Sequence, residues 1–197
     1  MQQSDSPTAR HLDSLAADAQ SAAAKGAAID HWNPPFCGDL DIRIAADGTW
    51  LYLGSPIRRP ELVRLFSRVL RREGERYYLV TPVEKVGIVV DDAPFLAIEM
   101  ARQETNGVPV LVFQTNVGDR VVCGAQNRLR FVDGAKGGLT PYLHVRSDLW
   151  AKVSRPLYYE IVDLGEIRAV DGEEVFGVAS DGVFFPIADA MQLRDDD

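Results

Sequence analysis

Short apolar segments separated by turn-forming residues recur along most of the chain, and this pattern limits the fold more than any other feature. Strand-like stretches lie at 41–45, 49–53, 77–81 and 86–90, and they continue through the central third. Because glycine-containing turns join antiparallel neighbours, the pattern predicts hairpins and a central meander. The turn signals are Asp47-Gly48, Asn106-Gly107, Gly118-Asp119 and Ser180-Asp181-Gly182.

Two segments have the composition or periodicity of a helix. An alanine-rich stretch from Arg10 to Lys25 favours a helix that Gly26 would end. A second helix is predicted to begin at Pro60 and to end at Gly74, because its apolar residues recur at helical spacing. Those residues are Leu62, Leu65, Phe66, Val69 and Leu70.

Two landmarks of the first part of the chain recur in the last part. Trp50 and Pro56 match Trp150 and Pro156, both at an offset of 100 residues. A strand-like stretch precedes the proline in each case, and a helix-compatible stretch follows it. We therefore predict an α+β fold with two repeated hairpin–helix–hairpin motifs, a central β-meander and an N-terminal helix.

This interpretation divides the chain into five segments. They are an N-terminal helix with a flexible start (1–30), a first α+β motif (31–92), a central meander with a Gly-rich loop (93–139), a second α+β motif (140–190) and a frayed acidic tail (191–197).

The net charge limits the class of binding partner, and the cysteines indicate the cellular compartment. The net charge of −8 argues against binding to nucleic acid and to anionic membranes, both of which need a basic surface. The two cysteines, Cys37 and Cys123, predict free thiols in a reducing compartment. Since no apolar run is long enough to span a bilayer and no secretory signal is evident, we expect a cytoplasmic protein.

Signals of catalysis are weak, and we assign no catalytic residue, metal ligand or cofactor. The three histidines, His11, His31 and His144, lie outside any metal-binding or triad pattern. Nucleophile-elbow and phosphate-loop motifs do not occur. Asp39 and Asp41 fall on one face of a predicted strand and leave a hydrolase as the least favoured option, against a simple solvated strand start.

Arginines are concentrated on the predicted second helix. Arg64, Arg68, Arg71 and Arg72 would share one face of it. A solvated face opposite the apolar stripe is the simpler interpretation. The alternative is recognition of a phosphate, a carboxylate or an acidic partner.

Polar residues at predicted strand starts and ends are the candidates for a ligand site. Such positions often form pocket rims, although they are equally typical of turns. We take eight as candidate ligand-binding residues: Asp39, Arg43, Thr81, Glu84, Lys85, Gln114, Thr115 and Asn116.

Several longer motifs resemble the proteobacterial DUF1285 family of unknown function. They are PPFCGDLDIRI, DGTWLYLGSPI, YYLVTPVEKVGI and FQTNVGD, and the resemblance runs from Asn33 to Ala188. It implies two repeated structural motifs in an α+β arrangement and a suggested role in signalling or ligand sensing. It supplies no catalytic residues, since no enzymatic activity is established for the family.

Three functions follow as hypotheses. The first is a small-ligand-binding or regulatory module in bacterial signal transduction, because the junction of two similar lobes is a natural place for a pocket. The second is a protein-interaction or scaffolding module that uses the N-terminal helix or the arginine face. The third is the hydrolase with Asp39 and Asp41. The partner is thus an unidentified small molecule or protein, and no oligomeric state is assigned.

Overall fold

The computed structural model describes residues 7–24, 29–134 and 138–189, and it divides into two compact units, Met1–Asp92 and Ala93–Asp197. Strands dominate the described residues, and three α-helices accompany them. The fold is therefore mixed α+β. A flexible start is predicted for residues 1–9, but residues 7–9 belong to a helix (Pro7–Ala24). The predictions for residues 1–6, for Gly26 as a helix end, for the loop at 135–137 and for a frayed tail at 191–197 lie outside the described residues.

The first unit contains two helices and one six-stranded sheet, here called the first sheet. Helix α1 (Pro7–Ala24) precedes a 3₁₀ turn (Ile29–His31). The sheet has the order β3-β2-β1-β6-β5-β4. In chain order its elements are β1 (Phe36–Ile44), β2 (Trp50–Tyr52), β3 (Ser55–Pro56), α2 (Pro60–Arg68), β4 (Leu70–Glu73), β5 (Arg76–Val80) and β6 (Lys85–Val90).

The second unit contains a six-stranded sheet, here called the second sheet, one helix and a separate three-stranded sheet. The strand orders are β10-β11-β12-β7-β8-β9 and β13-β14-β15. The elements are β7 (Phe95–Thr105), β8 (Val108–Thr115), β9 (Arg120–Val122), β10 (Leu129–Asp133), β11 (Leu139–Arg146), β12 (Leu149–Val153), α3 (Arg155–Asp163), β13 (Glu166–Val170), β14 (Glu173–Ser180) and β15 (Val183–Asp189).

The two six-stranded sheets have the same connectivity. Each consists of two three-stranded antiparallel meanders, and the first strand of the first meander pairs in parallel with the last strand of the second. In the first sheet this pair is β1 with β6, and in the second it is β7 with β12. A parallel pair needs a long connection, and in each sheet the other four strands supply it.

Each unit has its own apolar core. In the first, Trp50 stacks on Phe66 of α2 with ring centroids 6.4 Å apart, and Leu15 of α1 is fully buried. In the second, Phe95 and Phe113 are buried. Full burial of a side chain of this size contributes about 1.5–3 kcal/mol. In strands such as β1 and β12, alternate residues supply these cores.

The glycine-containing turns form where the sequence predicts them. Asn106 and Gly107 both have positive φ, 53° and 78°, and connect β7 to β8. Asp181 and Gly182, at 50° and 74°, connect β14 to β15 in the same way. Two successive residues with positive φ match the twist of the flanking strands, which is why Asn-Gly and Asp-Gly indicate a hairpin so reliably.

The second predicted helix is shorter than expected. It begins at Pro60 as predicted, but it ends at Arg68, and Gly74 lies in the β4–β5 turn with φ +61°. The chain continues from Leu70 as β4, because β5 offers it a partner strand. Arg71 and Arg72 therefore lie on a strand, and the prediction that four arginines share one helix face was wrong.

The repeat at an offset of 100 residues is not confirmed. It would equate β2 with β12, but β2 lies between two antiparallel neighbours, whereas β12 has one antiparallel and one parallel neighbour. The strands after α2 join the sheet of β1, whereas those after α3 form a sheet of their own. The two parts of the sequence are alike in the order of their secondary-structure elements. Their strands nevertheless pair differently.

Candidate functional site

Two of the candidate residues in the first unit form the turn between β5 and β6. Thr81 is fully buried, and its N–H donates to the carbonyl oxygen of Glu84 at 2.9 Å. The Glu84 N–H donates to the Thr81 hydroxyl oxygen at 3.2 Å. The threonine thus satisfies the backbone of a tight connection, as expected for a turn residue.

Asp39 and Arg43 lie on β1, and each forms an ion pair. The Arg76 guanidinium donates to Asp39 at 2.6 Å, and the Arg43 guanidinium donates to Asp91 at 2.7 Å. Gly87 on β6 makes room for the first of these pairs, because a Cβ there would lie 2.0 Å from Asp39 Oδ1. The hydrogen bond to Asp91 also raises the pKa of Arg43.

Lys85 belongs to a charge network on the same face of the first sheet. Its ammonium group donates to Glu73 at 3.0 Å and lies 4.9 Å from the centre of the Tyr78 ring. Arg71 also contacts Glu73. The hydrogen bond from Lys85, and then that from Arg71, lower the pKa of Glu73. We call this surface the paired face. Its residues are Asp39, Arg71, Glu73, Arg76, Tyr78 and Lys85.

Most of the candidate residues of the second unit also form hydrogen bonds with the backbone. Thr115 is buried, and its hydroxyl oxygen accepts the Asp119 N–H at 3.0 Å. The amide oxygen of Asn116 accepts the Leu96 N–H at 3.0 Å. Gln114 differs, because it lines a cavity of about 310 Å³ together with Arg120. The motifs TPVEK and QTN thus each place a buried threonine at the end of a strand.

His144 contacts backbone carbonyl groups with both ring nitrogens. Nδ1 lies 3.1 Å from the Gln126 oxygen and Nε2 lies 2.7 Å from the Ser147 oxygen. The ring meets Trp150 edge-on at 5.1 Å. His144 therefore positions two turns. Within residues 7–24, 29–134 and 138–189, no cluster of three or more metal-ligating side chains occurs.

A cavity of about 490 Å³ lies where β11 begins, β12 ends and α3 starts. We call it the α3 cavity. Two cations, two tyrosines and an apolar wall line it, and no carboxylate is among the lining residues. They are Gly138, Leu139, Thr140, Pro141, Lys152, Val153, Arg155, Tyr158 and Tyr159.

Contacts within α3 hold one side of this cavity in place. Nε and Nη2 of Arg155 both donate to the Tyr159 hydroxyl oxygen, at 3.2 and 3.1 Å. Tyr159 is 52% exposed, and its ring centre lies 5.9 Å from that of Tyr158. Arg155 has no carboxylate partner among the described residues. An exposed aromatic ring and an uncompensated cation are therefore fixed at the cavity wall.

An aromatic and cationic surface adjoins the α3 cavity on the second sheet. The Arg130 guanidinium lies 4.0 Å from the centre of the Trp150 ring and 5.4 Å from that of Tyr142. Tyr142 pairs across strands with Lys152, which lines the cavity. We call this surface the aromatic strip. Its residues are Arg130, Tyr142, His144, Trp150 and Lys152.

A groove of about 620 Å³ lies between α1 and α2 in the first unit. Leu62 and Leu65 supply apolar lining, and Arg64 and Arg68 lie beside them. Neither arginine has an ion-pair partner among the described residues. Arg59 approaches Asp13 of α1 at 3.7 Å. The groove thus combines an apolar floor with positive charge.

Family models identify the chain. The N-terminal domain of DUF1285, a domain of unknown function, matches residues 27–93, and the C-terminal domain of the same family matches residues 94–187. The chain belongs to the DUF1285 family. The resemblance inferred from the sequence motifs is thus confirmed, and the two matched domains meet where the two compact units meet.

Two solved structures of family members are similar to this chain. A DUF1285 family protein from Silicibacter pomeroyi DSS-3 is 48% identical with a TM-score of 0.81, over 91% of this chain and 97% of the other. One from Shewanella baltica OS155 is 28% identical with a TM-score of 0.50, over 62% and 90%. No curated protein matches the chain. Among the described residues, no helix is long and apolar enough to cross a bilayer.

Sequence reasoning missed the residues of the α3 cavity. Arg155, Tyr158 and Tyr159 lie at i, i+3 and i+4 on α3, away from the buried stripe of Leu157 and Ile161. That polar and aromatic face could have been found from the sequence. Its convergence with Thr140 and Lys152 could not, because it depends on the pairing of β11 with β12.

Proposed function

We propose that this DUF1285 protein is a small-ligand-binding module with a regulatory role, such as one in bacterial signal transduction. We further propose that the α3 cavity binds a small organic anion. The observation that carries the proposal is the uncompensated Arg155 in a concave site that it shares with Lys152. A cavity of about 490 Å³ lies within the range of small-molecule pockets, about 300–1,000 Å³.

The charge of the cavity supports an anion in particular. The whole chain carries a net charge of −8, yet the ionisable side chains at this site, apart from the two tyrosines, are cations. Arg155 is exposed and lacks a carboxylate partner among the described residues, and hydrogen bonds between charged groups are about twice as strong as neutral ones. An anionic ligand would supply Arg155 with the charged acceptor that no carboxylate of the described residues supplies.

Thermal unfolding of the full-length protein tests this proposal. The panel holds organic carboxylates, sugar phosphates, nucleotides and amino acids. A ligand at a hundredfold its Kd stabilises the domain that binds it by about 2.7 kcal/mol. This corresponds to an increase in Tm of about 5–11 °C. A panel in which no anion shifts the transition would contradict the proposal.

Two charge-reversal variants test whether the shift in Tm arises from binding in the α3 cavity. Arg155→Glu should abolish the shift, because it removes the uncompensated cation and adds a carboxylate. Arg128→Glu makes the same change of charge at an exposed residue of the same unit that does not line the cavity. The control should retain the shift, and equal loss in both variants would count against the α3 cavity.

Recovery of the ligand distinguishes a binding module from an enzyme. After prolonged incubation with the protein, a ligand of a regulatory module should be recovered unchanged by chromatography. Conversion to a product would overturn this part of the proposal.

We further propose the cytoplasm as the compartment. Support comes from the free thiols of Cys37 and Cys123, the latter with a pKa that burial raises to about 12.

The groove between α1 and α2 favours a second function, a protein-interaction module with an acidic partner. Its support is the pair Arg64 and Arg68 beside Leu62 and Leu65, a combination that suits an amphipathic segment with acidic flanks. Arg64→Glu with Arg68→Glu should remove a partner captured by the wild type. Arg58→Glu, a neighbouring change outside the groove lining, should retain it. Equal capture by both variants would contradict this function.

A further inference from the structure

We infer that the ligand of the α3 cavity is a phosphate monoester that carries a planar aromatic ring, of the nucleoside monophosphate class. This inference rests on the proposed anion-binding function and specifies its chemistry. It combines two properties of the cavity, a pair of cations and a pair of tyrosine rings, that a simple carboxylate or a sugar phosphate would use only in part.

The cations fit a phosphate monoester better than a carboxylate. A phosphate monoester carries a charge of about −1.5 to −2 at neutral pH and presents three acceptor oxygens. Lys152 and Arg155 supply two positive charges from neighbouring elements. Arg155 donates two hydrogen bonds to Tyr159, and its guanidinium has further N–H donors for a ligand. The hydroxyl group of Thr140 lines the same cavity and adds another donor.

The rings fit a planar group. Tyr159 is exposed, and Arg155 fixes its hydroxyl oxygen, so its ring is held in position before a ligand binds. Tyr158 and the buried Pro141 lie on the same cavity wall. Stacking of a base on an aromatic side chain is largely independent of base identity, because every base has a π-face. We therefore expect a requirement for a ring with little preference among bases.

Calorimetry with the full-length protein tests the two halves of the ligand separately. The probes are AMP, GMP and UMP, with ribose 5-phosphate lacking the ring, adenosine lacking the phosphate, and inorganic phosphate lacking both the ring and the sugar. The nucleotides should bind. Loss of the ring should weaken binding by at least about tenfold, since stacking on one aromatic ring accounts for a factor of this size, and loss of the phosphate should weaken binding by at least as much. Ribose 5-phosphate that binds as tightly as AMP would overturn the inference.

The outcomes separate this inference from the function on which it rests. Nucleotides that bind no better than carboxylates or sugar phosphates, with an anion still bound, would overturn the ring-bearing phosphate and leave the anion site intact. No binding by any anion would overturn both. Binding that persists unchanged in Lys152→Glu would place the ligand elsewhere and overturn the assignment to this cavity.

Variants of Tyr159 examine the role of the ring. Tyr159→Phe keeps the ring and loses the bond to Arg155, and it should still prefer AMP to ribose 5-phosphate. Tyr159→Ala should lose that preference and bind both with similar affinity. Tyr159 is half exposed, so both variants should fold, which circular dichroism can verify. A preference for AMP that is unchanged in Tyr159→Ala would contradict stacking on this residue.

Discussion

The second meander of each six-stranded sheet carries the same three residue types on one face, but the neighbours of these residues differ. In the first sheet, Arg71 pairs across strands with Tyr78, and Lys85 lies over the Tyr78 ring. In the second sheet, Arg130 pairs with Tyr142, which also pairs with Lys152. Each surface thus has an arginine on its first strand, a tyrosine on its middle strand and a lysine on its last strand.

The difference lies two residues beyond each arginine. Glu73 follows Arg71 and binds both Arg71 and Lys85, whereas Val132 follows Arg130. One carboxylate therefore converts a cationic surface into a closed network, and its absence leaves Arg130 resting on Trp150. The comparison teaches that the same arginine and tyrosine pair carries a bound carboxylate in one unit and an apolar neighbour in the other.

Charge reversal of the lysine on the last strand of each meander should have different consequences, and we expect the largest effect here. Lys152→Glu should weaken AMP binding more than about a hundredfold, or about 2.7 kcal/mol. Lys85→Glu should leave binding unchanged and destabilise the first unit, because it places two carboxylates together at a position where Lys85 is only 17% exposed. Calorimetry and thermal unfolding of both variants check this. A loss of binding in Lys85→Glu would break the comparison.

Local signals made part of this fold predictable. The Asp-Gly and Asn-Gly hairpins form as predicted, because the positive φ that they need is a property of those residues alone. The start of α2 at Pro60 is local in the same sense. Its end is not, because Arg71 and Arg72 become a strand only through pairing with β5.

The candidate site was less predictable for the same reason. Thr81 and Thr115 lie at strand ends as expected, but their side chains are used by the adjoining turns. Lys152 and Arg155 are near neighbours in sequence, and Thr140 joins them only because β11 pairs with β12 before α3 begins. A search for polar strand ends therefore found turn residues, while the cavity depends on the register of the β11–β12 hairpin and on where α3 begins.

Exchange of the carboxylate between the two surfaces is the second prediction. Glu73→Val should destabilise the first unit by about 1–2 kcal/mol, because Arg71 and Lys85 lose their shared acceptor. Val132→Glu should lower AMP affinity by about three- to tenfold, since Val132 pairs with Thr140 of the cavity and an added carboxylate would compete for its cations. Chemical denaturation and calorimetry measure the two effects. Unchanged AMP affinity in Val132→Glu would contradict the role assigned to the missing carboxylate.

Acid should affect the paired face in particular. Lys85 and Arg71 hold the pKa of Glu73 below its ordinary value of 4.5. A carboxyl group whose pKa is lower in the folded state contributes stability above the pKa of the unfolded chain, and this contribution is lost as the pH falls through the folded-state pKa. Wild-type stability should therefore decline below about pH 4.5, and the decline should be shallower in Glu73→Val. Denaturation between pH 3 and pH 7 compares the two proteins, and parallel curves would contradict the prediction.

The smallest effect should come from Arg130, and it distinguishes a stacked cation from a paired one. Arg130→Gln removes a contact with Trp150 worth about 0.5–1 kcal/mol at an exposed site. Arg71→Gln should cost more, because Arg71 is 13% exposed and also donates to the Trp32 carbonyl oxygen at 2.7 Å. Denaturation of the two variants at neutral pH gives both values. A loss in Arg130→Gln as large as that in Arg71→Gln would mean that the aromatic strip stabilises its unit as strongly as the paired face does, and the case for an available anion site on the second sheet would weaken accordingly.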